Sequence, residues 1–224
     1  FCQAIDRNIS LYYEDIKLND IYELFSKANN EILKYNLENN RKQPTKKFWE
    51  KDYYSTTGTL AIVKENKLYW GTIGDSFVAI LNSKGDIRFI SPDGLQSYLD
   101  NLPNNWDKLS IDERRYYKSQ QRNSKKNENP VKGYGILNGE REALEWLDMG
   151  VEDIQEDDNI LVYTDGVSPY LKMEEFRRIL VESNKKEEDI KDYFNSFISN
   201  ETDKDLYEFL YKYGSERTLI IVTP

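Results

Sequence analysis

Between residues 19 and 37, Ile21, Leu24, Phe25, Ala28, Ile32 and Tyr35 recur at three- and four-residue steps, which predicts an amphipathic helix capped by Asn19 or Asp20. A polar connector, 39–47, leads into four strand-like pieces: Thr56 to Val63, Lys67 to Ile73, Ser76 to Leu81 and Asp86 to Ser91. Glu65-Asn66 and Asn82-Ser83-Lys84-Gly85 separate them with the residues that short reversals require, so the pieces read as an antiparallel meander. Residues 97–132 lose this periodicity and gain Asn, Pro and basic residues; they are expected to form a flap or insertion with one short helix over Ile111 to Ser119. The apolar run Ile160 to Thr164, stopped by Asp165-Gly166, predicts a buried strand entering a tight turn. Two amphipathic stripes follow, one on Ile190, Tyr193, Phe194, Phe197 and Ile198 and one on Leu206, Phe209, Leu210 and Tyr213, and Thr218 to Val222 makes a last strand. Helix, strand cluster, insertion, strand, helices and strand in that order indicate an α+β layered fold over residues 1–224, expected as one domain, rather than alternating βαβ units.

Composition narrows the chemistry. With 31 Lys and Arg against 40 Asp and Glu the formal charge is −9, which argues against a general nucleic-acid binder. Histidine is absent, which removes Ser-His-Asp and Cys-His catalysis and every imidazole-ligated metal site. Cys2 is the single cysteine, so no internal disulfide or thiolate zinc cluster can form and a reducing cytoplasm is the expected compartment. The longest apolar run, Phe77 to Leu81, falls far short of the ~20 residues of a membrane span. Aromatic residues at 13% accompany 32% charged residues, so the chain is expected to fold rather than remain an acidic disordered segment.

Chemistry must therefore rest on oxygen ligands. Three acids stand where a strand meets a turn: Asp75 in Gly74-Asp75-Ser76, Asp165 in Thr164-Asp165-Gly166, and Glu216 in Ser215-Glu216-Arg217. Any one of them alone is ordinary turn chemistry, because Asp bonds its neighbouring backbone and Gly tolerates positive φ. Brought together on adjacent strands, they are the expected scaffold for hard cations such as Mg²⁺ and Mn²⁺. Arg114, Arg115, Lys118, Arg122, Lys125 and Lys126, interleaved with Tyr116 and Tyr117, form one basic cluster, read either as a solvated flap or as an attractor for an anionic partner.

Ser55-Thr56-Thr57-Gly58-Thr59-Leu60-Ala61, Gly74-Asp75-Ser76, Gly133 to Gly139, Thr164-Asp165-Gly166 and Arg217 to Val222 follow one another in the order and spacing that resemble the metal-dependent protein phosphatases of type 2C. The resemblance runs from about Ser55 to Val222 and implies an α-β-β-α sandwich, two antiparallel sheets flanked by helices. It also implies two or three Mn²⁺ or Mg²⁺ ions, with a cation-bridged water attacking the phosphorus of phosphoserine or phosphothreonine. On this mapping Asp165 is a principal metal ligand, Asp75 helps to hold a third, weaker ion, and a phosphorylated protein substrate or a regulatory protein is the partner. The family's opening acid-bearing strand and Asp-Gly-x-Gly-Gly turn have no counterpart ahead of Phe1, so the chain is expected to begin in the helix after that turn. Ser215 occupies the position of a closing-strand Asp, with Glu216 one residue along as the candidate substitute, and Phe77 stands where an Arg commonly follows the Gly-Asp-Ser turn. A catalytically inactive, phosphatase-like binding module is the alternative these departures leave open.

Overall fold

The computed structural model describes residues 1–41, 53–124, 126, 133–183 and 218–223. Its helices are α1 (Cys2–Ile9), α2 (Leu18–Glu38), α3 (Gln96–Asp100), α4 (Ile111–Gln121), α5 (Ser168–Leu171) and α6 (Glu174–Ser183). The strands are β1 (Gly58–Lys64), β2 (Lys67–Ile73), β3 (Ser76–Leu81), β4 (Ile87–Ile90), β5 (Asp148–Asp153), β6 (Asn159–Thr164) and β7 (Leu219–Val222). They form two sheets, ordered β1-β2-β5 and β4-β3-β6-β7. The fold is α+β, as the sequence pattern indicated, with the two antiparallel sheets that the resemblance implied; the four strands expected as one meander divide between them, β1 and β2 in one sheet and β3 and β4 in the other. Two compact units emerge, one from Phe1–Leu60, Tyr69–Asp75 and Asp93–Val151, the other from Ala61–Leu68, Ser76–Pro92 and Glu152–Pro224.

In the first unit α2 carries the predicted stripe, with Ile21, Leu24, Phe25 and Ala28 fully buried. Its first turn is held by the Asp20 carboxylate, which accepts the Lys17 backbone N–H at 2.7 Å and so satisfies one of the orphan donors of a helix start. The same stripe continues in amides: Asn29 and Asn36, one heptad apart, are both buried. Asn29 donates to the Glu140 carbonyl at 2.8 Å and accepts the Gly139 N–H at 2.8 Å. Gly139 has φ +96°, and a Cβ there would stand 2.7 Å from Leu33 Cα. A Gly139→Ala change therefore adds a left-handed backbone penalty of ~1–2 kcal/mol to overpacking of ~1–3 kcal/mol. The expected loss in urea denaturation is about 2–4 kcal/mol, and a loss under ~0.5 kcal/mol shows that this loop yields freely.

The described part of the 97–132 segment holds more than a single short helix. α3, a 3₁₀ turn at Trp106–Lys108 and α4 are all present, and Tyr98 gathers Tyr134 and Tyr117 at centroid distances of 5.0 and 6.1 Å. Burial, and then the neighbouring Tyr134 and Tyr117, push the Tyr98 phenol well above its ordinary pKa. A capping box opens α4: the Ser110 hydroxyl accepts the Glu113 N–H at 3.3 Å while the Glu113 carboxylate accepts the Ser110 N–H at 2.8 Å. Strand β5 escapes sequence patterning, since Asp-Met-Gly-Val-Glu-Asp is acidic and half-buried. A Cβ at Gly150 would meet the Trp70 ring at 2.8 Å, so the indole lies flat on a position that only glycine leaves open.

The second unit is built on the four-stranded sheet. Phe77, Ala79 and Leu81 of β3 and Leu161 and Tyr163 of β6 pack with Val167, Tyr170, Leu171, Phe176, Leu180 and Val181 from the α5–α6 region. The β3–β4 hairpin closes on Asn82, whose Oδ1 accepts the Lys84 and Asp86 N–H groups at 2.9 Å each. Gly85 takes φ +84° in that turn, and Arg177 on α6 locks it by donating Nε–H to the Gly85 carbonyl at 2.8 Å. The stripes at 190–198 and 206–213 lie outside the described residues.

Candidate functional site

Strand β6 delivers Asp165. Its residues Ile160, Leu161 and Tyr163 are buried, and the chain leaves the sheet through a 3₁₀ turn at Asp165–Val167. Val167, Tyr170 and Leu171 anchor that turn in the core, while Asp165 itself is exposed. Its Oδ1 accepts the Gly166 N–H at 2.8 Å, which fixes the carboxylate at the mouth of the turn. The preceding residue is tied to the edge strand, because Thr164 Oγ1 accepts the Thr218 N–H at 3.0 Å.

Strand β3 opens beside this exit. Ser76 is the antiparallel partner of Thr164, and Asp75 immediately precedes Ser76 in the chain. Two of the three acids picked out from sequence thus each adjoin a residue of this register in the chain, Asp75 next to Ser76 and Asp165 next to Thr164, with Asp75 in the first unit and Asp165 in the second. Asp75 is half-buried and follows Gly74, whose φ of +97° makes the turn. Glu216, with Ser215 and Arg217, lies outside the described residues. Phe77 is a core residue rather than a site residue: it is 6% exposed and stacks on Tyr163 with centroids 5.2 Å apart.

Asp75 and Asp165 each offer the oxygen donors that a hard divalent cation takes. The number does not complete a site: among the described residues no group of three or more Asp, Glu, His and Cys side chains is placed to hold a metal ion. A cavity of about 480 Å³ does open along α1 and α2, lined by Phe1, Arg7, Lys34, Tyr35 and Tyr54, but neither Asp75 nor Asp165 reaches it.

Lys125 of the basic cluster lies outside the described residues, and among the others Arg114, Arg122 and Lys126 have internal partners. Arg114 lies over the Trp106 ring at 5.5 Å and donates to the Asp107 carbonyl at 2.9 Å. Lys126 pairs with Asp148 at 2.6 Å, and the Arg122 side chain, 6% exposed, approaches Glu140 at 3.9 Å. Sequence reasoning missed a buried amide network: Asn123 Nδ2 donates to the Ile136 carbonyl and to Asn138 Oδ1 and Glu140 Oε2, and Asn36 joins it through Asn138. The signal that could have found it was polar residues at core positions of a helical stripe.

A family model described as Protein phosphatase 2C matches residues 1–211. The chain belongs to the protein phosphatase 2C family. No curated protein matches it. Solved structures are similar in fold to this type 2C phosphatase domain: the Mycobacterium tuberculosis serine/threonine phosphatase PstP/Ppp aligns with a TM-score of 0.55 at 16% identity, over 98% of this chain and 79% of that one. Stp1 from Staphylococcus aureus gives 0.51 at 18% identity, over 92% and 67%. A bacterial serine phosphatase gives 0.50 at 20% identity over 89% of this chain, which spans 66% of that protein's length. The likeness is one of fold, and the antiparallel sheets of this type 2C domain agree with it. Among the described residues, no helix is long and apolar enough to cross a membrane.

Proposed function

We propose that this type 2C domain serves a metal-dependent protein serine/threonine phosphatase, hydrolysing phosphoserine or phosphothreonine in a protein substrate. The observation that carries the reading is Asp165 on its turn, joined through the Ser76–Thr164 register to the strand that Asp75 precedes, in a chain that matches the family over residues 1–211. In this reading Asp165 and Asp75 help to hold Mn²⁺ or Mg²⁺, with Glu216 as the third acid named from sequence. A bound cation would supply Lewis acidity toward the phosphate. The protein's own part is to fix Asp165 through the Gly166 N–H and to keep β3 and β6 in register beneath it.

One observation favours a second reading, a phosphatase-like module that binds a protein without turning it over: Ser215 stands where the resemblance calls for an Asp ligand. Two measurements separate them. Under the phosphatase reading, calorimetry finds Mn²⁺ binding and phosphopeptide hydrolysis appears only with Mn²⁺ or Mg²⁺. Ser215→Asp is then expected to raise both, by ~10-fold or more in metal affinity, the scale on which metal-site partners act. A protein that binds no Mn²⁺ and retains affinity for a phosphopeptide sinks the catalytic reading.

A further inference from the structure

The turn that presents Asp75 is held in place by a chain of contacts that starts on α2. Asn36 has a fully buried side chain with every polar hydrogen and its oxygen in use. Its Nδ2 donates to the Tyr54 carbonyl at 3.1 Å and to the Asn138 carbonyl at 3.0 Å, while its Oδ1 accepts the Tyr54 N–H at 2.7 Å. Asparagine is a weak helix former and a costly group to bury, so its place in an apolar stripe is not accounted for by the stability of α2. What it does is pin two separate backbone segments to one helix.

Those segments then pin each other and the turn. Two residues past Tyr54, Thr56 exchanges two backbone hydrogen bonds of 2.9 Å with Leu137, next to Asn138. The following residue, Thr57, fills the space beside Gly74: a Cβ at Gly74 would lie 2.4 Å from Thr57 Cγ2 and 2.8 Å from its Cβ. From another direction Gly94 donates its N–H to the Gly74 carbonyl at 3.1 Å, and a Cβ at Gly94 would stand 2.6 Å from that oxygen. Gly74 thus has Thr57 packed against it on one side and Gly94 hydrogen-bonded to its carbonyl on another, and Asp75 is the next residue.

We infer that Asn36 is a positioning residue for the Gly74-Asp75 turn, acting through Tyr54, Thr56–Leu137 and Thr57. The inference rests on the phosphatase reading only for the use to which Asp75 is put; the clamp itself is tested without metal. Amide hydrogen exchange on the full chain reads it directly. In Asn36→Asp, which keeps the shape but removes both donated hydrogen bonds, exchange is expected to rise at least ~10-fold at Leu137 and at Gly94. The paired amides of β3 and β6 should keep their protection, which a general loss of stability would not allow. Gly94 holding its protection while Leu137 loses it overturns the inference.

Thr57→Ser supplies a second arm should the buried substitution fail to fold, because it deletes only the methyl packed on Gly74. There Gly94 is expected to exchange faster with Tyr54 unchanged, and an unaltered Gly94 again overturns the inference. A final readout links the clamp to the acid: Asn36→Asp should weaken Mn²⁺ binding about 10-fold, and its effect should not add to that of Asp75→Asn. Full additivity contradicts action through Asp75. Failure of the unaltered protein to bind Mn²⁺ removes the phosphatase reading and leaves the exchange results to decide the clamp.

Discussion

Arg88→Ala is expected to lower stability by about 3–5 kcal/mol, the scale for stranding a buried charge. Asp158 is fully buried, and its Oδ2 accepts the Gln155 N–H at 2.8 Å as well as a hydrogen bond from Arg88 Nη1. Its Oδ1 has no hydrogen-bond partner among the described residues, so the guanidinium is the main compensation for a carboxylate removed from water. The pair is asymmetric, because the Arg88 side chain is 32% exposed and that of Asp158 is 0% exposed. Removing Asp158 lets Arg88 turn toward water, whereas removing Arg88 leaves the carboxylate with nowhere to go. Asp158→Ala should therefore cost less than Arg88→Ala. Replacing both, as Arg88→Met with Asp158→Leu, should recover much of the loss, since a well-packed apolar pair often matches a buried ion pair. Urea denaturation measures all three variants. Against a typical total of ~5–15 kcal/mol the single Arg change would leave the protein close to unfolding, and equal losses from the two single changes would refute the burial argument.

Asp165→Asn is expected to reduce Mn²⁺-dependent phosphopeptide hydrolysis by at least ~100-fold while altering stability by less than ~1 kcal/mol. The contrast follows from what the side chain touches. Asp165 is exposed, and among the described residues its one side-chain hydrogen bond is the Oδ1 contact with the adjoining Gly166 N–H, which an Asn carbonyl oxygen can accept equally well. The turn therefore survives the exchange, and what disappears is a full negative charge where a cation would sit. Hydrolysis kinetics with and without Mn²⁺, alongside a melting curve, separate the two effects. Retained metal-dependent activity would remove Asp165 from the ligand set. A large drop in melting temperature would instead mark it as a residue that holds β6 in place.

Much of this was legible in the chain. Period-3.6 spacing on Ile21, Leu24, Phe25 and Ala28 located α2, and the apolar runs ending at Leu81 and Thr164 located β3 and β6, because each buries a face whose periodicity is written locally. The helix at Cys2–Ile9 was not predicted: it buries only Ala4 and Ile5, too short a stripe to stand out. Strand β5 was hidden for a different reason, since Gly150 and its acidic neighbours become a strand only by pairing in the β1-β2-β5 sheet. Phe77 could not be assigned from its position after Gly-Asp-Ser, and its stacking on Tyr163 settles it as core.

For the acids, the sequence determined their kind and their setting: oxygen donors at strand–turn junctions, in a chain without histidine. Only the tertiary structure decided that Ser76, the residue after Asp75, faces Thr164, the residue before Asp165, and that Asn36 spends its whole amide on backbone 18 and 102 residues away. Register and long-range hydrogen bonds depend on which segments meet, and a one-residue slip in pairing would have reversed every face. That information lies in the packing of the whole chain and in no window of it.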